Sequence, residues 1–406
     1  LEHDVKQIDR RAMFWGIALA GAPALARAQP NAAATVRLPF ENGERPLVAY
    51  PQKRPLLRLT TRPPQLETPF LVFDEGVITA NDAFFVRYHL ARTPPADLDP
   101  AHFRLTVRGL VERPLSLDLN DLKRMPTTEV VAVNQCSGNS RGFFAPRVAG
   151  GQAGNGLMGN ALWRGVSLEH VLDRAGVKAG GVDVRFDGMD GPVDPATPDF
   201  AKALDIDHAR DGEVMLAWSM NGADLPILNG YPLRLVVPGY YGTYWVKHVN
   251  EITVLDKKLD NFWMSTAYRV PDNDCACTPA GSPAAKTRPI GRYNVRSFIT
   301  NLAGGARVAA GRPLPVRGIA FDGGSGIAQV LVSADGGVTW APAKLGKDLG
   351  RYSFRSWTTT VRLAAGPHEL KVQAISASGE RQPSEPRWNP AGYMRNVIES
   401  VSVRAA

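Results

Sequence analysis

The sequence predicts an α+β domain followed by an immunoglobulin-like β-sandwich. Three observations carry that expectation. Glycine and proline number 39 and 32 among 406 residues, a loop content that favours many short strands over a helical bundle. From about residue 70 to 285, short apolar runs alternate with polar turns and only two stretches carry a helical period. From 290 to 406 the alternation is cleaner, with turn residues between the strands, as in an immunoglobulin-like sandwich.

Taken in order, residues 1–28 read as an export signal. Arg10 and Arg11 precede an apolar stretch from Ala12 to Ala26, and Ala26-Arg27-Ala28 has the small-x-small form of a cleavage site. The stretch is too short to span a bilayer. Paired arginines point to the route for folded, cofactor-loaded proteins. Phe14 falls one place late for the usual pattern, so the ordinary unfolded-export route stays open. Either route places the mature chain in the periplasm. Residues 29–69, rich in Pro and Arg and without periodicity, read as an extended arm on the surface of a larger body.

In residues 70–285, strands are expected at Phe103 to Val107, Ser116 to Leu119, Glu129 to Asn134, Val182 to Phe186, Met215 to Met220 and Leu233 to Val237. A helix is expected at Asn120 to Arg124, capped by Asn120, and another at Ser167 to Ala175, capped by Ser167 and stopped by Gly176. Asp272 to Pro289 is a polar connection rich in Pro and Ala. Beyond it, strands are expected at Leu314 to Phe321, Ala328 to Ser333, Ser353 to Val361, His368 to Ser376 and Ile398 to Val403. Ser333 to Gly337, before Val338-Thr339-Trp340, is a hairpin turn with glycines where positive φ is needed.

With 44% hydrophobic residues the chain can bury a large core. A net charge of +8 permits an anionic substrate, but the cations are scattered without basic runs or interleaved aromatics, which argues against nucleic acid. Three cysteines do not make a disulfide framework. Cys275 and Cys277 are read as a local disulfide or two free thiols. No Cys-x-x-Cys-His occurs, so covalent c-type haem on this chain is not expected. The Asp205, Asp207 and Asp211 cluster lacks calcium-loop spacing and reads as a solvated face. His102, His170, His208, His248 and His368 read as structural. Cys136 stands apart: it ends an apolar strand, small residues follow, and Arg141 comes five positions on. A thiolate there suits a soft or high-valent metal, and a nearby arginine favours the thiolate. An isolated cysteine is nevertheless more often buried filler.

Several separate segments together tip that balance. Phe84-Phe85-Val86-Arg87-Tyr88-His89, Asn134-Gln135-Cys136-Ser137-Gly138-Asn139, Asn229 to Gly239 with Val246-Lys247, and Val332 to Trp340 resemble the sulfite oxidase family in order and spacing. The likeness covers nearly all of the mature chain and is nearest to the family's bacterial members, exported sulfite:cytochrome c oxidoreductases with a separate haem subunit. It implies a sulfite oxidase-type molybdopterin-binding domain, 70–285, and a second domain, 290–406, that supports subunit association, with a homodimer among the arrangements it allows. The cofactor implied is molybdenum with one molybdopterin, its metal ligated by Cys136. Arg87 matches the arginine beside the metal, His89 the histidine two places on, Tyr268 the active-site tyrosine and Arg141 a second pocket arginine. Asp190, Asn229, Arg234 and Lys247 fall where the family holds the pterin and its phosphate. Phe85, Trp245 and Val246 complete the cofactor-binding set. Asn229 departs from the vertebrate histidine, and the vertebrate pocket tryptophan has no counterpart in Gln152 to Met158.

The chemistry fits these residue types. Sulfite is a small dianion, and guanidinium groups bind its oxygens with planar paired donors and orient the sulfur lone pair. Tyr268 can donate without adding charge. The reaction expected is sulfite plus water to sulfate, two electrons and two protons, with no nucleophilic triad. The arm is too short for a cytochrome b5 segment and lacks a His-Pro-Gly-Gly run, so electrons are expected to leave to a separate c-type cytochrome. The competing readings are a periplasmic molybdenum sulfoxide reductase, an assimilatory nitrate reductase and a secreted metal-free binding protein.

Overall fold

The computed structural model describes residues 34–38, 40 and 43–406, so the expected export signal lies outside the described residues. The segment expected to be an extended arm is instead a sheet. Strands Thr35–Arg37, Glu44–Tyr50, Lys53–Thr60 and Gln65–Glu67 run antiparallel in sequence order and end against Val86–Arg87. Leu56, Leu57 and Leu66 are buried, and the alternation that buries them is broken by register shifts within the strand pairs. That interruption hides the period-two signal on which strand expectation rests.

Two five-stranded sheets follow. One has the order Ala201–Asp205, Asp183–Gly188, Val249–Leu255, Leu105–Gly109, Leu115–Leu117, with Val249–Leu255 and Leu105–Gly109 parallel. The other joins Ala223–Asp224, Met215–Met220, Met158–Ser167 and Thr127–Gln135, with Arg234–Val236 paired to Met215–Met220. The helices are few and short. Leu119–Lys123 is capped by Asp118, whose carboxylate accepts from the Asp121 amide while Asp121 returns a bond, so its start precedes the expected Asn120. Leu168–Ala175 stops at Gly176, whose φ of +71° a glycine adopts without strain, as expected; the Ser167 hydroxyl makes no capping bond. Strands Ala201–Asp205, Met158–Ser167 and Val249–Leu255 were not anticipated.

The C-terminal half is a sandwich. Arg296–Ile299, Pro313–Phe321, Arg355–Arg362 and Lys344–Leu345 form one sheet, and Ala306–Val308, Glu399–Ala405, Gly366–Ser376, Ile327–Ser333 and Ala341–Pro342 the other. Val316, Trp357, Val330, Leu370 and Val403 from both sheets share one core. The expected hairpin joins Ile327–Ser333 to Ala341–Pro342, with Gly336 and Gly337 at φ +74° and +102°. The halves are not separate bodies. Thr35–Ala406 is one compact unit, and Phe298, Phe321, Tyr352 and Phe354 belong to the same core as Phe73, Val133 and Tyr241. Cys275 and Cys277 form a disulfide.

Candidate active site

Cys136 is placed by sheet geometry. The strand Thr127–Gln135 pairs with Met158–Ser167 from Thr127↔Val166 to Gln135↔Met158, and Cys136 is the first residue beyond. Its amide donates to the Leu157 carbonyl at 2.9 Å, and its carbonyl accepts from the Asn139 amide at 3.0 Å. The opposing loop is held by Glu67, whose carboxylate accepts the Gly154 and Gly156 amides at 3.0 and 2.8 Å. The thiol is free and half-buried. It faces a narrow cavity lined by Arg87, His89, Asn229, Arg234, Lys247 and Tyr268.

Arg87 comes from the last strand of the N-terminal sheet, through the pairing Gln65↔Arg87. Its Nη2 donates to the Tyr268 hydroxyl at 3.2 Å, and that hydroxyl lies 2.6 Å from His89 Nε2. Burial first, then the charges of Arg87, Lys247 and Lys202, hold His89 well below the usual histidine range. With its proton on Nε2, a neutral His89 donates to the Tyr268 oxygen, as Arg87 does, which leaves the phenol's own hydrogen free for a ligand. Burial keeps the Tyr268 phenol above its usual range, so it remains a neutral donor. His89 is fixed by stacking on Phe200, ring centroids 3.6 Å apart.

The opposite wall is cationic. Lys247 donates to the Arg87 carbonyl and lies over the Tyr88 ring at 4.1 Å. Arg234 donates to the Asn229 carbonyl at 2.9 Å, and the Asn229 side-chain amide donates to the Phe85 carbonyl at 3.0 Å. Burial, then the neighbouring Arg234 charge, brings Lys247 down to about 7, and burial brings Arg234 down to about 9. Cations held close together in a desolvated wall favour an anionic ligand, which would offset both penalties.

The structure brings Phe85, Arg87, His89, Cys136, Asn229, Arg234, Lys247 and Tyr268 around this one cavity. The other expected residues stand outside its lining. Trp245 packs edge-on against Trp163 and donates its indole N–H to Tyr240, and the amides of Trp245 and Val246 are bonded within their own loop. Both are core residues because the loop turns their side chains inward. Asp190 is buried behind Lys247, and burial lifts its carboxyl to about 6 against the pull of that cation. Arg141 lies over the Tyr393 ring at 4.9 Å.

Sequence reasoning passed over Asn134, Ser137, Leu228, Gly242 and Thr243, which also line the cavity, and Lys53, whose ammonium reaches Asn229 Oδ1 at 2.5 Å. Asn134 and Ser137 flank the cysteine in the segment already singled out; Lys53 sits in the misread arm and left no signal.

A phosphorylated pterin carrying a thiolate-bound metal fits this lining. Both side-chain atoms of Asn134, Ser137 Oγ, Thr243 Oγ1 and Arg234 Nε are buried without a protein partner, which makes them ready to bond a polar ligand. Three cations and no carboxylate line the cavity among the described residues. No three His, Cys, Asp or Glu side chains cluster closely enough to hold a metal among the described residues, so a metal here would depend on Cys136 and on ligands that a cofactor brings.

Comparison with known proteins agrees with this chemistry. Residues 91–263 match the oxidoreductase molybdopterin binding domain, and residues 287–406 the Mo-co oxidoreductase dimerisation domain. Mitochondrial sulfite oxidase of Mus musculus is 33% identical over 379 residues, which cover 88% of this chain and 67% of that protein. Sulfite oxidase of Gallus gallus is 34% identical over 367 residues, 86% of this chain and 78% of that protein. Among solved structures, the sulfane dehydrogenase SoxCD from Paracoccus pantotrophus superposes with a TM-score of 0.74 at 26% identity, covering 95% of this chain and 94% of that one.

Proposed function

The chain belongs to the sulfite oxidase family, and from that premise we propose that it oxidises sulfite to sulfate at a molybdenum-molybdopterin centre ligated by Cys136, and releases the electrons singly to a c-type cytochrome. The observation that carries this reading is the free Cys136 thiol opening on a cavity walled by Arg87, Arg234 and Lys247. When bound, the molybdenum cofactor supplies oxygen-atom transfer chemistry and takes up the two electrons that sulfite releases. The chain's own residues bind and orient. Arg234, Lys247, Asn229, Ser137 and Thr243 hold the pterin and its phosphate, with Lys53 fixing the Asn229 amide. Arg87 neutralises the incoming dianion and Tyr268 donates to a substrate oxygen. His89 holds the Tyr268 hydroxyl in direction and, being neutral, adds no competing charge.

The test is a preparation from molybdenum-replete cells. Sulfite-dependent reduction of cytochrome c, with molybdenum bound in equal number to chains, is the expected result. Cys136→Ser should lose both while keeping the far-ultraviolet circular dichroism of the parent. A metal-free parent protein, or normal turnover by Cys136→Ser, overturns the reading. We propose further that residues 1–28 direct export to the periplasm, which cell fractionation tests, and that the 287–406 segment associates two chains, which sedimentation tests. A second reading, oxidation of sulfane sulfur, is favoured by the end-to-end likeness to the sulfane dehydrogenase. The same assay with a sulfane donor in place of sulfite separates the two.

A further inference from the structure

Resting on the reading of this cavity as an oxyanion pocket, we propose that Tyr393, supplied by the C-terminal half, is a positioning residue: it holds Tyr268 and Arg141 in place, and through Tyr268, which lines the cavity, it sets the fit of the oxyanion admitted beside Cys136. Tyr393 belongs to the segment between the strands Gly366–Ser376 and Glu399–Ala405, far in sequence from every residue assigned above. Its ring lies parallel to that of Tyr268, centroids 5.5 Å apart and planes within 8°. The Arg141 guanidinium sits over the same ring. Tyr393 is thus the ring that joins Tyr268, which lines the cavity, to Arg141, which does not. Arg141 Nε is buried without a partner, so the stacking on Tyr393 carries much of what holds this guanidinium.

The segment is built to present that ring. Asn389 is buried and clamps Tyr393 from both sides: its side-chain amide donates to the Tyr393 carbonyl at 2.8 Å, and its Oδ1 accepts the Tyr393 amide at 3.1 Å. Trp388 is tied to the catalytic half through its indole N–H, which donates to the Pro146 carbonyl at 2.8 Å, and through its carbonyl, which accepts the Thr278 amide at 2.8 Å. Gly392 has φ +61°, and a Cβ there would lie 2.3 Å from Val148 and 3.0 Å from the Arg141 side chain. Only a residue without a side chain lets the segment come this close to Arg141. Met394, at φ +61°, is held by a bond from the Asn294 side chain to its carbonyl at 3.2 Å. A tyrosine that merely filled core would not need both flanks fixed against an arginine.

The experiment measures equilibrium binding of sulfate and of propanesulfonate to the cofactor-loaded protein by titration calorimetry, beside the sulfite KM and kcat. Tyr393→Ala removes the ring on which Tyr268 is stacked. Its sulfate Kd and sulfite KM should rise about tenfold, the scale of one displaced hydrogen-bond donor to a bound oxyanion. Its preference for sulfate over propanesulfonate should fall about tenfold or more, the scale set by extra methylenes in a fitted pocket. Tyr393→Phe keeps the ring and should keep the preference. Tyr393→Leu replaces the alanine variant if the latter does not fold, as judged by circular dichroism and thermal unfolding. A folded alanine or leucine variant with an unchanged sulfate to propanesulfonate ratio overturns the proposal. Altered anion preference in a protein that does not oxidise sulfite would instead uphold Tyr393 and sink the sulfite reading, so the two failures are told apart.

Discussion

At the scale of single residues, charge and burial set the behaviour of the pocket. Arg87 reaches Tyr268 with one nitrogen and lines the cavity beside Cys136. Arg87→Met should raise the sulfite KM more than tenfold, a loss of about 1.4 kcal/mol or more, because a charge-assisted contact disappears. Steady-state kinetics decide it, and an unchanged KM takes Arg87 out of the pocket. Lys53, Lys202 and Lys247 give a second test. Burial lowers all three to about 7, whereas a lysine of the unfolded chain titrates near 10.4. Between those values the unfolded chain binds more protons than the folded one, so the stability of cofactor-free protein should rise with pH from about 7 to about 10, where tyrosines begin to oppose it. Urea unfolding at successive pH values measures the slope. Lys202→Met, which removes one of the three titrations, should flatten it, and an identical slope would show that Lys202 is not held neutral. The chemistry-bearing types were legible here because Cys136, Arg87 and Tyr268 sit in dense, recognisable segments. Tyr393 was not, since it meets the pocket only through a contact between residues distant in sequence.

Elements matter by where they end. The Thr127–Gln135 strand delivers Cys136 at its edge, and the N-terminal sheet delivers Arg87 from its last strand and Lys53 from its middle. The strand before Cys136 could be read because its apolar run is continuous. The N-terminal sheet could not, because bulged pairings break the alternation and prolines crowd it, so residues that look like a loop became the sheet that supports the site. Glu67, at the end of that sheet, ties it to the loop behind the cysteine. Its carboxylate accepts two amides; a glutamine oxygen can take one, while its amino group would face the other donor. Glu67→Gln should therefore cost about 1–3 kcal/mol, the penalty of a buried donor left without an acceptor. Chemical unfolding would register that loss, and a variant as stable as the parent would show the loop to be held by other bonds.

For the molecule as a whole, the change of composition at Asp272 to Pro289 marks a boundary in the chain but not in the core. Phe70 meets Phe298 with ring centroids 5.4 Å apart, and Phe73 meets Phe354 at 6.0 Å. The Val133 amide, three residues before the cysteine, donates to the Tyr352 carbonyl at 2.9 Å, and Arg317 pairs with Asp74 through two bonds of 2.8 and 2.6 Å. Aromatic contacts of this kind lie far apart in sequence and leave no periodic trace, so two domains are what the sequence displays and one cooperative body is what the packing makes. Cooperative units follow contiguous buried contacts rather than family boundaries. Calorimetry of the cofactor-free chain should therefore show one unfolding transition. Phe354→Ala, which empties a buried position shared by both halves, should lower stability by about 3–5 kcal/mol. Tryptophan fluorescence and the far-ultraviolet strand signal, to which both halves contribute, should shift together. Two resolved transitions, with only the first displaced by Phe354→Ala, would mean that the halves unfold separately and that the interface carrying Tyr393 to the pocket opens before the cavity does.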